Sequence, residues 1–186
     1  MFDSELFPLK RKLNAKIYTL FENIRLRLKD TAGHTQYDFP EQAVWTSAKL
    51  SQGENYNGYP WVVLDFPRMQ PGEHSCAWRL MFWYGHYFSL HFVATGNHAR
   101  EIARRITQNM RKVTESSILF STHTDPWMHD LGDASFHPLN KLEAEAVYAQ
   151  VHAHGFIKLS CVTGNTSADV EEKIIAAYRG IGELLL

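Results

Sequence analysis

The stretch of the chain that most constrains the fold is residues 76–94, CAWRLMFWYGHYFSLHFVA. It is too long for one ordinary strand, and its aromatic and aliphatic side chains favour β-structure. Gly85 followed by His86 has the Gly-X form of a two-residue type II′ turn. The stretch therefore predicts two antiparallel strands, both largely apolar on each side, as is typical of strands in the centre of a sheet.

The position of that turn also predicts a register. A two-residue turn at 85–86 pairs Tyr84 with Tyr87 and Leu80 with His91. One side of the hairpin would then carry Trp78, Leu80, Phe82, Tyr84, Tyr87, Ser89, His91 and Val93. The other side would carry Arg79, Met81, Trp83, Phe88, Leu90 and Phe92. One long strand with a bulge at Gly85 is the alternative.

Two further strands are predicted upstream, at residues 43–46 and 61–64, because both runs are rich in β-branched and aromatic side chains. Between them, residues 52–60 predict a long hairpin loop that carries aromatic side chains. Within this loop the dipeptide Asn57-Gly58 is a strong turn signal.

Four amphipathic helices are predicted from apolar side chains that recur every three or four positions. Pro8 suits the first turn of the first helix, and Gly96-Asn97 begins the second. Asn140 is a candidate cap for the third helix, which Gly155 ends. Thr166 or Ser167 is expected to cap the fourth.

These elements predict one α+β domain over residues 1–186. Consecutive strands with short connections favour an antiparallel sheet over a parallel one. We expect a four-stranded meander, extended by one or two later strands at residues 118–122 and 156–162, with about four helices packed on it.

The predicted central strands and the predicted hairpin loop at residues 52–60 carry aromatic rings together with a few polar groups. A histidine near tyrosine hydroxyls and an arginine is an arrangement that orients an anionic ligand. The candidate ligand-binding residues are Tyr56, Arg79, Trp83, Tyr84, Tyr87 and His91. The alternative is core packing, with each polar tip bonded internally.

A second constellation lies in the loop at residues 123–137, where imidazoles and carboxylates are dense. Such groups are ligands that Zn²⁺, Mn²⁺ or Fe²⁺ accept, and a metal-bound water is a hydrolytic nucleophile. The candidate metal ligands are His123, Asp125, His129 and Asp130. The alternative is a solvated polar loop. No other sequence motif indicates a cofactor.

The net charge and the cysteine content indicate which partners and which cellular compartment to expect. The net charge is -1, so no overall field drives binding to nucleic acid or to a membrane, and no apolar run is long enough to span one. Basic helix residues such as Arg100 and Arg104 are expected to form a solvated face. Cys76 and Cys161 are two isolated cysteines, which is typical of a reducing compartment. With no secretory signal evident, we expect a cytoplasmic protein.

Three segments carry a resemblance: residues 54–68, residues 81–85 and residues 156–159, the last reading FIKL. They look like parts of uncharacterised bacterial proteins of similar length. The resemblance implies no activity and assigns no residue a role.

Three functions follow as hypotheses. The first is a non-enzymatic binding or accessory protein, whose aromatic sheet face and loop contact a small ligand or a partner, including a second copy of the chain as a homodimer. The second is a metal-dependent hydrolase that uses the loop at 123–137. The third is a nucleic-acid binder that uses the basic helix faces.

Overall fold

A computed structural model describes residues 5–32, 43–44, 46–69, 72–110, 117–165 and 169–186. The strands in these ranges are β1 (Lys49–Tyr56), β2 (Tyr59–Arg68), β3 (Cys76–Trp83), β4 (Phe88–Thr95), β5 (Leu119–Ser121), β6 (Phe136–Pro138) and β7 (Phe156–Gly164). The helices are α1 (Leu6–Ala32), α2 (Gly96–Asn109), α3 (Ala144–His154) and α4 (Val170–Leu184), with a short 3₁₀ helix at Leu139–Lys141.

The strands form one seven-stranded antiparallel sheet in the order β1-β2-β3-β4-β7-β5-β6. The predicted α+β class and the four-stranded meander are confirmed. Three later strands extend the meander, where the sequence predicted one or two. The additional strand is β6, which is three residues long and lies in the region predicted to be a polar loop.

The first hairpin differs from its prediction. The turn at Asn57 and Gly58 directly joins β1 to β2, and both residues have positive φ, 50° and 87°. Positive φ at both central residues is what a type I′ hairpin turn requires. Most of the predicted loop is therefore strand. The predicted strand at 43–46 is reduced to one bridge between Val44 and Arg68, and Trp45 lies outside the described residues.

The central hairpin at 76–94 is confirmed, but its predicted register is wrong by one residue. The connection holds three residues between paired Trp83 and Tyr87, and the N–H of His86 donates to the carbonyl of Trp83 at 3.0 Å. Gly85, with φ +75°, takes the third position of this type II turn. Leu80 therefore pairs with Leu90 rather than with His91.

This shift moves every β4 side chain to the opposite side of the hairpin. We call the two sides of the sheet the helix face and the loop face. The helix face carries Val62, Leu64, Phe66, Cys76, Trp78, Leu80, Phe82, Phe88, Leu90, Phe92, Ala94, Ile157, Leu159 and Cys161. These side chains form one core with the apolar stripes of α1, α2 and α4.

The loop face is polar at its centre and aromatic toward the β1–β2 turn. Its apolar cluster is small, consisting of Val63, Met81 and Trp83 with Tyr56, Trp61 and Tyr87 packed against it. Beside that cluster lie the buried polar side chains Asp65, Ser89, His91, Lys158 and Ser160. The segment that joins β5 to β6, residues 122–135, crosses this face, and we call it the covering loop.

The helices follow the predicted stripes with small differences at their ends. Gly155 ends α3 with φ +72°, as predicted. Asn140, however, lies in the 3₁₀ helix, and α3 begins at Ala144 after Glu143. The predicted caps Thr166 and Ser167 lie outside the described residues.

Several basic side chains on the helices form ion pairs within the fold. Arg27 bonds Glu171 and Glu172 across α1 and α4, and Arg104 and Arg105 bond Glu101. The predicted solvated basic face is therefore partly neutralised. Among the helices of the described chain, none combines the length and apolarity that crossing a membrane requires.

Candidate functional site

A cluster of buried polar side chains lies between the loop face and the covering loop. Neighbouring strands supply its floor, because cross-strand partners share a face: Asp65 pairs with Arg79, Arg79 with His91, and His91 with Ser160. Lys158 lies on β7, two residues before Ser160. The covering loop supplies His129, which is 5% exposed.

Asp65 and Arg79 form the charged end of this cluster. Nε and Nη2 of Arg79 donate to the two carboxylate oxygens of Asp65 at 2.7 and 2.9 Å, which is the bidentate geometry that guanidinium favours. The guanidinium also lies 4.4 Å from the ring centre of Trp127, a cation–π contact. One arginine thus joins the sheet to the covering loop.

The same arginine sets the tautomer of His129. Nη1 of Arg79 lies 3.2 Å from Nε2 of His129, and because guanidinium only donates, Nε2 accepts. The neutral ring then carries its proton on Nδ1, which lies 2.9 Å from Nζ of Lys158. Nζ must offer a lone pair there, so Lys158 is a neutral amine.

The remaining bonds of Lys158 agree with this assignment. A neutral amine has two N–H groups, and Nζ donates to the carbonyls of Pro126, at 3.0 Å, and of Met128. Lys158 is 0% exposed, and burial beside the guanidinium of Arg79 lowers its pKa well below the usual value. Burial likewise lowers the pKa of His129, and the guanidinium charge of Arg79 adds to the effect.

Two tyrosines hold the backbone of the covering loop. The hydroxyl of Tyr56 accepts the N–H groups of His129 and Asp130 at 2.6 and 3.1 Å. The hydroxyl of Tyr87 accepts the N–H of Leu131 at 2.7 Å and donates to the carbonyl of His129 at 3.1 Å. Burial raises the pKa of Tyr87 to about 12, so this hydroxyl keeps its proton at neutral pH.

His91 lies deepest in the cluster. Its two ring nitrogens are each 2.8 Å from a serine hydroxyl, Ser89 on one side and Ser160 on the other. A neutral imidazole has one donor and one acceptor, and the two hydroxyls complement them. Complete burial lowers the pKa of His91 well below its usual value, and the guanidinium charge of Arg79 contributes.

The predicted ligand-binding residues mostly converge on this face. Tyr56, Arg79, Tyr87 and His91 line the floor, and Trp83 supports it by donating from Nε1 to the carbonyl of Tyr56 at 3.1 Å. Tyr84 does not join them, because its hydroxyl bonds Asn14 of α1 and its ring packs on Phe82. In this conformation the partner of the floor is the covering loop, and a direct role in ligand binding stays a prediction.

The predicted metal ligands are not brought together. His129 uses both ring nitrogens within the cluster, and Nδ1 of His123 accepts the N–H of Asp125 at 2.9 Å. Oδ1 of Asp130 accepts the N–H of Gly132 at 3.0 Å. Over the described ranges, no three His, Cys, Asp or Glu side chains are placed to hold a metal ion. The metal prediction therefore rests on the sequence alone.

Sequence reasoning missed Asp65, Lys158 and Trp127 as parts of this cluster. Lys158 had a signal, since it is the one charged side chain in the apolar run 156–162. Asp65 follows the apolar run 61–64 in the same way. A charged residue within a buried strand needs a partner, and that rule could have directed attention to both.

Every polar group of the closed cluster described above has a partner. The arrangement therefore fixes the covering loop on the sheet. Comparison with protein-family models, with curated proteins and with solved structures finds no match for this chain.

Proposed function

We propose that the protein is a non-enzymatic binding protein, and that its covering loop presents the contact surface. The proposal is based on the exposure of Trp127. This residue is 51% exposed, although a buried polar network fixes the loop around it. Binding residues are often carried by loops that a rigid scaffold positions.

Trp127 is held ready for contact by two interactions. One side of its ring stacks on Arg79, and its backbone N–H donates to Oδ1 of Asp125 at 2.8 Å. An aromatic side chain that is already ordered loses little conformational entropy when it is buried by a partner. Tryptophan is also among the residues that contribute most binding energy at interfaces.

The charge of the covering loop favours a basic partner. It contains Asp125, Asp130 and Asp133 and has no Lys or Arg. In each aspartate, Oδ1 accepts a bond from a nearby backbone N–H, which orders the carboxylate. A partner segment with arginine or lysine would complement these charges, and an arginine would also stack on the open side of Trp127.

Location and the other partner hypotheses are proposals of the same kind. We propose that this binding protein acts in the cytoplasm, since the sequence has only two cysteines, Cys76 and Cys161, and both are buried, which suits a reducing compartment. A homodimer and a small-molecule ligand stay predictions, tested by sedimentation and by ligand screening in thermal melts.

An array of immobilised peptides tests the proposed surface. It holds arginine-containing peptides, the same peptides with glutamate in place of arginine, and neutral ones. We expect the protein to bind the first set, and Trp127→Ala to weaken that binding at least tenfold. Tyr148→Ala is the matched control, because Tyr148 of α3 is similarly exposed, at 48%, and lies outside the loop.

Equal binding by Trp127→Ala and the unmodified chain would remove this surface as the contact site. A preference for the glutamate peptides would overturn the charge argument. Elemental analysis of protein purified without an affinity tag is the separate test of the metal hypothesis.

A further inference from the structure

Lys158 is a fully buried lysine without a carboxylate in hydrogen-bond contact. Its three hydrogen-bond partners are the carbonyls of Pro126 and Met128 and the ring of His129, all from the covering loop. Buried charged groups are ordinarily paired with opposite charge. Here the one carboxylate in the buried floor, Asp65, is already engaged by Arg79 through both oxygens.

The floor beneath the covering loop therefore offers two basic side chains and two hydroxyl groups that can donate or accept, while its one carboxylate is already paired. Lys158, Arg79 and the hydroxyl groups of Tyr56 and Tyr87 all point toward the loop, whose backbone and imidazole they contact. The carbonyl oxygens of the loop are weak substitutes for an anion, since they carry only partial charge. A charged oxygen in their place would allow Lys158 to be an ammonium group.

We propose that the floor formed by Arg79, Lys158, Tyr56 and Tyr87 is a binding site for an oxyanion, the phosphate or carboxylate group of a small molecule. Oxygen atoms of the anion take the places of the Pro126 and Met128 carbonyls. The bound anion supplies the counter-charge that Lys158 lacks, and two cations with hydroxyl donors match the acceptor geometry of phosphate and carboxylate.

The covering loop is the element that must move for this site to be filled. Among its residues, His129 alone is buried, while the loop's contacts to the floor are mainly hydrogen bonds. A segment with little buried apolar surface opens at a lower free energy than a packed strand. β5 and β6 hold both of its ends, so it lifts without leaving the fold.

This inference adds a second site to the proposed function and does not depend on it. Filling the floor displaces the loop that presents Trp127, so the anion would also regulate the partner surface. The experiment below contains no peptide, and its outcome is therefore independent of the array experiment.

Residue-resolved amide hydrogen exchange tests the site. The N–H of Leu131, bonded to Tyr87, reports on loop opening, and amides of the β3–β4 ladder are the internal reference. Exchange is compared in inorganic phosphate, in acetate and in sodium chloride at equal ionic strength. If an anion holds the loop open, the Leu131 rate rises by the factor 1 + [anion]/Kd, about elevenfold at ten times Kd.

We expect this acceleration in phosphate, in acetate or in both, and only in the covering loop. The comparison of phosphate with acetate shows which oxyanion the floor prefers. Lys158→Met should abolish it. Equal Leu131 rates in all three salts would overturn the proposal, as would the same acceleration in Lys158→Met. If Lys158→Met does not fold, the exchange rates of the unmodified chain still test the proposal. Acceleration that extends to the β3–β4 amides would contradict a site under the covering loop.

Discussion

The two faces of the sheet are covered in different ways. On the helix face, α1, α2 and α4 bury a continuous apolar surface whose stabilisation grows with area and does not depend on direction. On the loop face, a segment without regular structure is held by directed hydrogen bonds that it forms with Arg79, Lys158, Tyr56 and Tyr87. A typical bond of this kind contributes about 0.5–1.5 kcal/mol.

The two faces therefore have different roles: one stabilises the fold, and the other positions Trp127 at the surface. The helix face supplies most of the free energy of folding. The loop face supplies less, but its directed bonds determine one conformation for the loop and so the position of Trp127. Substitutions on the two faces should therefore differ in size and in what they change.

The largest expected effect is Trp78→Ala on the helix face. Trp78 is 1% exposed and packs against Phe92 and Tyr178. Removing a buried tryptophan ring leaves a cavity and lowers the free energy of unfolding by about 3–5 kcal/mol. Chemical denaturation measures the change, and a loss below 1 kcal/mol would show that this face is not the main source of stability.

Asp65→Ala should have the largest effect on the loop face. The substitution leaves Arg79 largely buried without its carboxylate, which costs about 2–3 kcal/mol after allowance for the partial exposure of the pair. The double variant with Arg79→Met should recover part of this loss, since it removes the unpaired charge. Failure of the double variant to recover any stability would contradict the pairing.

Acid should weaken the loop face selectively. The pKa values of His91 and His129 in the folded protein lie well below 6.5, so the unfolded chain takes up these protons first. Stability is then fully present above pH 6.5 and falls below it, by about 2 kcal/mol between pH 6.5 and 5.5 for two histidines.

His91→Gln should remove about half of this pH-dependent loss, and denaturation curves at both pH values measure it. The exposed His154→Gln on α3 is the control. An unchanged slope in His91→Gln would show that this imidazole is already charged in the folded protein.

Tyr87→Phe tests one of the two tyrosine hydroxyl groups that hold the covering loop. The variant keeps the ring but removes the hydroxyl that serves Leu131 and His129. We expect the free energy of unfolding to fall by about 1–2 kcal/mol and the Leu131 amide to exchange faster. If Leu131 stays as protected as before, the loop does not depend on this hydroxyl.

Trp127→Ala should have the smallest effect on stability, about 0.5–1 kcal/mol, because the half-exposed side chain loses little besides its cation–π contact with Arg79. Comparing the stability losses of Trp127→Ala and Trp78→Ala compares the two faces through the same residue type. Near-equal losses would mean that Trp127 is part of a core rather than of a contact surface.

The helix face could be predicted from the sequence because its signals are local and periodic. The stripes of the helices and the apolar run at 76–94 predicted an antiparallel sheet under helices. The register could not be predicted from the turn residues, because Gly85 suits both a two-residue turn and the three-residue connection observed. The second choice places Leu90 and Phe92 with Leu80, which yields one fully apolar face, and tertiary packing decides between them.

The polar cluster was predicted only in part. Arg79 and His91 attracted attention as polar groups among rings, yet the predicted register put them on opposite sides of the hairpin. Asp65, Lys158 and His129 come from distant parts of the chain, and their meeting in one cluster depends on the strand order β2-β3-β4-β7. Spacing along the sequence carries no information on such an order.

Native-state amide exchange of the covering loop tests the central claim most directly, namely that directed bonds hold this loop as a unit separate from the helix-covered core. The amides of His129, Asp130 and Leu131 should open together, at a free energy below that of the β3–β4 ladder. The result that would contradict the account is exchange of these three amides only through global unfolding, at the same free energy as the ladder.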